Sequence, residues 1–223
     1  GSLERAEARS GVTVAAIALI VTIATLLSSL VLSCRESLAS YFAGFLASDL
    51  TVSAVSTEGG WLETPLSLEI EEILSRVPGV QRVATARVLA GQSYAKDRIA
   101  ILALSPRLFD ASRAPEGWFQ EGDAGSAAPQ LAQGRAVTVS ASFSDRFGLH
   151  AGDTVALDSS TGIVTLPIVG VVPDYVSDRG SVIMSREVLA RRWQETSANR
   201  FLVTVAPSEP IGAVRARIED VLG

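Results

Sequence analysis

Residues Gly11 to Ser33, GVTVAAIALIVTIATLLSSLVLS, carry no charge and are dominated by Val, Ala, Ile and Leu. A helix rises about 1.5 Å per residue, so this stretch reaches roughly 34 Å, enough to cross a hydrocarbon core of about 30 Å. A core helix of a soluble domain shows an apolar stripe with a 3.6-residue period and a polar opposite face, which this stretch lacks. Thr13, Thr22, Thr25, Ser28 and Ser29 interrupt it. Their hydroxyls can bond the carbonyl one turn earlier and cost little in lipid. The stretch predicts a transmembrane helix, and everything else in the chain hangs from it.

Residues 1–10 are a polar leader in which Arg5 and Arg9 offset Glu4 and Glu7. The positive-inside rule counts Lys and Arg and largely ignores acids, so the leader is expected in the cytoplasm and the rest of the chain outside. A rival reading takes Val31-Leu32-Ser33-Cys34 as a lipobox with Cys34 lipidated after cleavage. The apolar run is well beyond the 7–15 residues of a signal peptide, and Leu32 fits that pattern poorly. After Arg35 the residues Leu38, Tyr41, Phe42, Phe45 and Leu46 recur at helical spacing. Arg35, Leu38, Tyr41, Phe42 and Phe45 are therefore expected to form a stalk that prolongs the membrane helix and transmits motion through it.

The remaining residues, about 185, suffice for a real core. Leu50 to Val55 alternates and predicts a strand. Thr64-Pro65 reads as the cap of a helix over LSLEIEEILSRV, which stops at Pro78-Gly79. Two strands are expected at Arg82 to Leu89 and Arg98 to Leu104, joined through a connection that bears Gly91. Ser105 to Gln133, rich in Ala, Pro and Gly around Trp118-Phe119, reads as a long surface connection. Beyond it the pattern predicts strands at Ala136 to Ser140, Thr154 to Asp158, Ile163 to Val172, Ser181 to Met184 and Arg200 to Val205. Helices are expected at Ser142 to Phe147, Arg186 to Trp193 and Pro210 to Leu222. The class is α+β: a membrane helix with stalk (1–48), then an exported two-lobed domain. Its α+β larger lobe takes 49–132 and 196–223, and a small β-rich lobe, 133–195, is inserted and separable.

The formal charge is −5 and Lys96 is the sole lysine. An acidic domain without a basic cluster is a poor nucleic-acid binder, so no nucleic-acid partner is expected. One His, His150, and one Cys, Cys34, leave no material for a His-rich metal site, an intrachain disulfide or a Ser-His-Asp triad with a spare base. No P-loop and no Gly-x-Ser-x-Gly elbow occur. The chain is not expected to be an enzyme, and no catalytic residue, metal or cofactor is assigned. Glu69, Glu71 and Glu72 read as the solvated face of a helix. Asp153, Asp174, Tyr175 and Asp178 invite a site, but flanking Gly and Pro favour turn-setting roles.

Four segments carry a resemblance. They are Ala47-Ser48-Asp49-Leu50-Thr51-Val52, Val77-Pro78-Gly79-Val80, Phe147-Gly148-Leu149-His150-Ala151-Gly152-Asp153-Thr154-Val155, and Val169-Gly170-Val171-Val172 followed by Asp174-Tyr175 and Asp178-Arg179-Gly180. In order and spacing across almost the whole chain they resemble the MacB/FtsX-like family of bacterial ABC transporter permeases, most closely the second half of a ten-helix member. The resemblance implies a small β lobe inserted in the larger one, and a permease that continues into further membrane helices. It implies as partners a separate ATP-binding ABC subunit, those helices, the lipid bilayer, and a second permease half or an extracytoplasmic protein. The expected location is the bacterial inner membrane, with the soluble domain in the periplasm. The expected function is to couple cytoplasmic ATP hydrolysis to extrusion of a lipoprotein, lipid, peptide or drug, or to mechanical signalling. The alternative is a membrane-anchored or lipid-anchored extracytoplasmic sensor or binding domain.

Overall fold

The computed structural model describes residues 17–35, 48–54, 64–114, 117–173 and 177–223. The chain falls into two units, which divide between residues 43 and 44. In the first, α1 (Ile17–Arg35) is long and apolar enough to cross a membrane. Thr22 and Thr25 donate their hydroxyls to the carbonyls of Ala18 and Val21, both at 2.8 Å, as expected of hydroxyls in an apolar helix. Leu, Ile and Val side chains are exposed on every side of α1, which suits lipid and not water.

The second unit is organised by a long hairpin. β2 (Val80–Tyr94) and β3 (Asp97–Leu104) turn back on each other through Ala95-Lys96, both at positive φ (45° and 69°), the geometry of a two-residue type I′ turn. Gly91 does not lie in the connection, as the sequence suggested. It sits inside β2 at a register shift between Leu89 and Gln92, so one longer strand absorbs the irregularity as a bulge. On one side of the hairpin β9 (Arg200–Val205) pairs antiparallel with β2, and the edge strand β1 (Leu50–Ser53) pairs with β9. On the other side β3 pairs in parallel with β8 (Ser181–Ser185), which pairs with β5 (Val137–Ser140). β5 runs parallel to β7 (Gly162–Val172), which is flanked by β4 (Glu121–Gly122) and by β6 (Thr154–Ser159).

The fold is thus α+β as expected, but the sheet crosses the expected boundaries at 133 and 195. β1 and β5 belong to one sheet, because β3 is hydrogen-bonded to β2 on one edge and to β8 on the other. The expectation that residues 136–184 stand apart from that sheet is therefore corrected. β3 shows why: its Ile99, Ile101 and Ala103 enter one buried cluster with Val137, Val139 and Met184, while Leu102 and Leu104 enter another with Val172 and Ile183. A strand buried on both faces reads as a continuous apolar run, the pattern of a central strand and not of a lobe's edge. Packing does retain a division. A further cluster, with Leu74, Val77, Phe201, Val203, Val214 and Ile218, lies beneath β1, β2 and β9.

Two helices differ from expectation. α2 (Glu69–Ser75) begins after Leu68 with no side-chain cap, since Leu66 exchanges two backbone hydrogen bonds with Ala198 and is held extended. The stretch read as a loop contains α3 (Ala124–Ala132), capped by Asp123, whose carboxylate accepts the Ser126 N–H at 2.9 Å. Pro129 inside α3 is what hides it in the sequence. α4 (Ala141–Phe147) is capped by Ser140 and ends at Gly148. α5 (Arg186–Trp193) and α6 (Ile211–Leu222) fall where their apolar spacing places them.

Candidate functional site

Of the expected stalk, Arg35 is the last residue of α1, and Leu38, Tyr41, Phe42 and Phe45 lie outside the described residues, as do Asp174 and Tyr175. Asp153 closes a turn. Its carboxylate accepts the His150 N–H at 2.8 Å, its N–H donates to the His150 carbonyl at 3.1 Å, and its carbonyl receives the Ile168 N–H at 2.8 Å. Asp178 lies in the turn before β8, where the Gly180 N–H donates to Ser177.

The segments that carry the resemblance build joints. Asp49 ties β1 to β9 by accepting the Val205 N–H at 2.7 Å. The Pro78-Gly79 turn is held against α6, because Arg217 donates to the Pro78 carbonyl at 2.8 Å while paired with Glu209 at 3.0 Å. Gly79 has φ 92°, and a β-carbon there would come within 2.7 Å of Val214 Cγ2. Gly180, at φ 104°, backs directly onto Phe143, whose Cα would lie 2.7 Å from an added β-carbon. Only glycine meets both conditions at either place.

Two polar clusters flank the hairpin end and the β4 edge, and the sequence does not reveal them. Asp97, at the start of β3, accepts Arg146 of α4 at 2.6 Å and Arg179 at 3.5 Å. The Arg98 N–H, followed by the Arg146 guanidinium, holds its carboxyl below the usual range. Beside it Tyr94, Phe143 and Phe147 stack with ring centroids 4.7–5.2 Å apart. In the second cluster His150 Nδ1 is 2.8 Å from Glu121 Oε1 of β4, and Glu121 Oε2 accepts the Ala151 N–H at 3.0 Å. The Glu121 bond and charge raise the His150 pKa, while the Ala151 N–H and the imidazole lower that of Glu121.

Ser144 Oγ lies 3.2 Å from His150, so serine, histidine and glutamate meet at one place. They do not form a catalytic triad. Serine and glutamate both approach Nδ1, whereas a triad needs the acid on one ring nitrogen and the nucleophile on the other, so that the base can relay a proton. Among the described residues no three His, Cys, Asp or Glu side chains converge to hold a metal ion. The first cluster braces α4 and the turn before β8 against the hairpin, and the second braces β4 and α4 against the loop before β6.

Fold and clusters together define an α+β domain, preceded in the chain by one long apolar helix, whose distinctive residues are joints and braces. The MacB-like periplasmic core domain family matches residues 10–221, and the chain belongs to that family. It is 26% identical over 217 residues to an uncharacterized ABC transporter permease protein of Mycobacterium tuberculosis; the alignment takes in 96% of this chain and 25% of that one. The chain thus spans about a quarter of the length of that curated relative. The periplasmic region of MacB from Actinobacillus actinomycetemcomitans shares the fold with a TM-score of 0.55, at 13% identity, covering 77% of this chain and 81% of that one. The extracellular domain of the noncanonic ABC-type transporter YknZ from Gram-positive bacteria aligns with a TM-score of 0.49, at 14% identity, over 76% of this chain and 92% of that one.

Proposed function

We propose that residues 49–223 are the exported domain of an ABC transporter permease, anchored by α1 in the bacterial inner membrane with the leader in the cytoplasm. The observation that carries this reading is the extent of the family match. It starts at residue 10, ahead of α1, and runs to residue 221, so helix and domain are matched together. A relative named as a permease aligns over the same length. In this reading an ATP-binding subunit works on the cytoplasmic side, and further membrane helices complete the permease. The domain passes the motion to a cargo or to an extracytoplasmic partner.

The test is topology together with partnership. With Cys34 replaced, single cysteines at Ser10 and at the exposed Ser126 are probed in intact cells with a membrane-impermeant thiol reagent. The full-length permease is then isolated and its bound ATP-binding subunit assayed. Labelling of Ser126→Cys alone, with an ATPase co-purifying, is the expected result. Labelling of Ser10→Cys but not Ser126→Cys would overturn the orientation, and a permease that retains no ATPase would overturn the function.

A further inference from the structure

Arg87 in β2 and Arg186 at the start of α5 are both only 8% exposed. Among the described residues only one of these two guanidiniums bonds a carboxylate. Arg87 pairs with Glu195 at 3.1 Å. Arg186 bonds only uncharged oxygens: Thr85 Oγ1 at 3.1 Å and the carbonyls of Thr196 and Ser197 at 2.9 and 3.0 Å. Its Nε has no partner among the described residues, and burial draws its pKa below the usual arginine value. A buried charge with no hydrogen-bonded counter-ion is costly, and an arginine cannot escape the cost by losing its proton.

Arg186 lines an open cavity of about 440 Å³ together with Thr85, Ser105, Arg107, Glu71 and Glu187. The two hydroxyls in its wall have a proton to spare. Thr85 Oγ1 and Ser105 Oγ are 2.8 Å apart, Ser105 Oγ already accepts the Thr85 N–H at 2.8 Å, and Thr85 Oγ1 already accepts Arg186. One hydroxyl donates to the other, so whichever does, the second proton is left without an acceptor among the described residues. The pair and the fork beside it therefore hold surplus donors: one hydroxyl and the second Nη1 hydrogen of Arg186. What completes them is an acceptor carrying negative charge.

We propose that this cavity binds the carboxylate group of a small molecule, held by the Arg186 guanidinium and the Thr85–Ser105 hydroxyl pair. The planar guanidinium fork matches a carboxylate. Glu71 acts on Arg186 electrostatically without bonding it, and Glu187 stands exposed on the same wall. These two acids offset the charges of Arg186 and Arg107 on the wall, so a dianion gains no Coulombic advantage over a monoanion and the planar fork favours the carboxylate.

The experiment is solution NMR of the 223-residue chain in detergent micelles, titrated with sodium acetate, sodium phosphate, or sodium chloride at matched ionic strength. Acetate is expected to shift the Thr85 and Ser105 amides and the Arg186 Nε–H signal saturably, and chloride is not. Arg186→Lys, which keeps the charge and loses the fork, should weaken acetate binding about tenfold. Because that variant can fail to fold, exposed Glu187→Gln provides a second reading and should strengthen binding about twofold to threefold. Absence of saturable shifts in the folded wild-type chain would overturn the proposal. So would equal shifts with chloride, phosphate saturating at lower concentration than acetate, or weaker acetate binding in Glu187→Gln.

Discussion

The Asp49 carboxylate accepts the Val205 N–H at 2.7 Å, and the Asp49 N–H donates to the Val203 carbonyl at 3.0 Å. The first residues of the described domain are thereby clasped to the strand that leads into its last helix. β1 is only four residues long and, among the described residues, has β9 as its one sheet neighbour, so this clasp supplies much of what fixes it. Asp49→Ala should lower stability by about 1 kcal/mol and speed hydrogen exchange at Val205, while Asp49→Asn, which keeps an acceptor, should lose little. Unchanged exchange at Val205 in Asp49→Ala would show that β1 is held without it.

Gly180→Ala is expected to cost about 2–3 kcal/mol, since the new methyl meets the Phe143 backbone and the φ of 104° disfavours any L side chain. Denaturant unfolding measures it. A loss below about 0.5 kcal/mol would mean that α4 shifts freely away from β8, contrary to the close packing of Phe143, which is 0% exposed.

The fold was legible where local chemistry and tertiary contacts agree. α5 and β9 run to the residues predicted, and α4 ends at the predicted Phe147 but begins one residue early, at Ala141, where the Ser140 side chain caps it. It was illegible where a distant partner decides. Leu66 leaves the helical pattern because Ala198 takes its backbone groups, and α3 survives a proline that argues against it. The polar clusters join residues 29, 49 and 82 positions apart, for which no spacing rule exists. Arg186 opens a helix, where an arginine ordinarily reads as exposed, and its burial follows only from the carbonyls of Thr196 and Ser197 closing over it.

The Arg87–Glu195 pair, with side chains 10% and 24% exposed, should be sensitive to removal of one member. Glu195→Ala strands Arg87 beside Arg186 and is expected to cost about 2–3 kcal/mol, somewhat less than a fully buried pair. Replacing Arg87 by Met in the Glu195→Ala background should recover part of that loss. A double variant less stable than Glu195→Ala would contradict the charge argument.

The His150–Glu121 contact should be pH-dependent. His150 is raised above its ordinary value of 6.5, so its contribution is fully present below 6.5 and is lost as pH rises through the folded value. Glu121 is lowered below 4.5, so its contribution is present above 4.5 and is lost as pH falls through its folded value. The contact is therefore tightest between 4.5 and 6.5 and loosens as pH rises through the folded value of His150. An NMR titration of the His150 ring should give a midpoint above 6.5 that falls back in Glu121→Gln. A wild-type midpoint at or below 6.5 would contradict the geometry.

We propose that the chain works by transmitted motion, through the residues that follow α1, and not by chemistry in the domain. Ser37→Pro is the direct test. If the expected stalk is helical, a proline there removes a backbone hydrogen bond and clashes one turn back, at about 3 kcal/mol or more. The measurement is ATP hydrolysis by the full-length permease with its ATP-binding subunit, followed alongside functional complementation in cells. The account predicts hydrolysis retained and complementation lost in Ser37→Pro, with both retained in Asp153→Ala and Asp174→Ala. Full complementation by Ser37→Pro, or its loss in a folded Asp174→Ala variant, would contradict it.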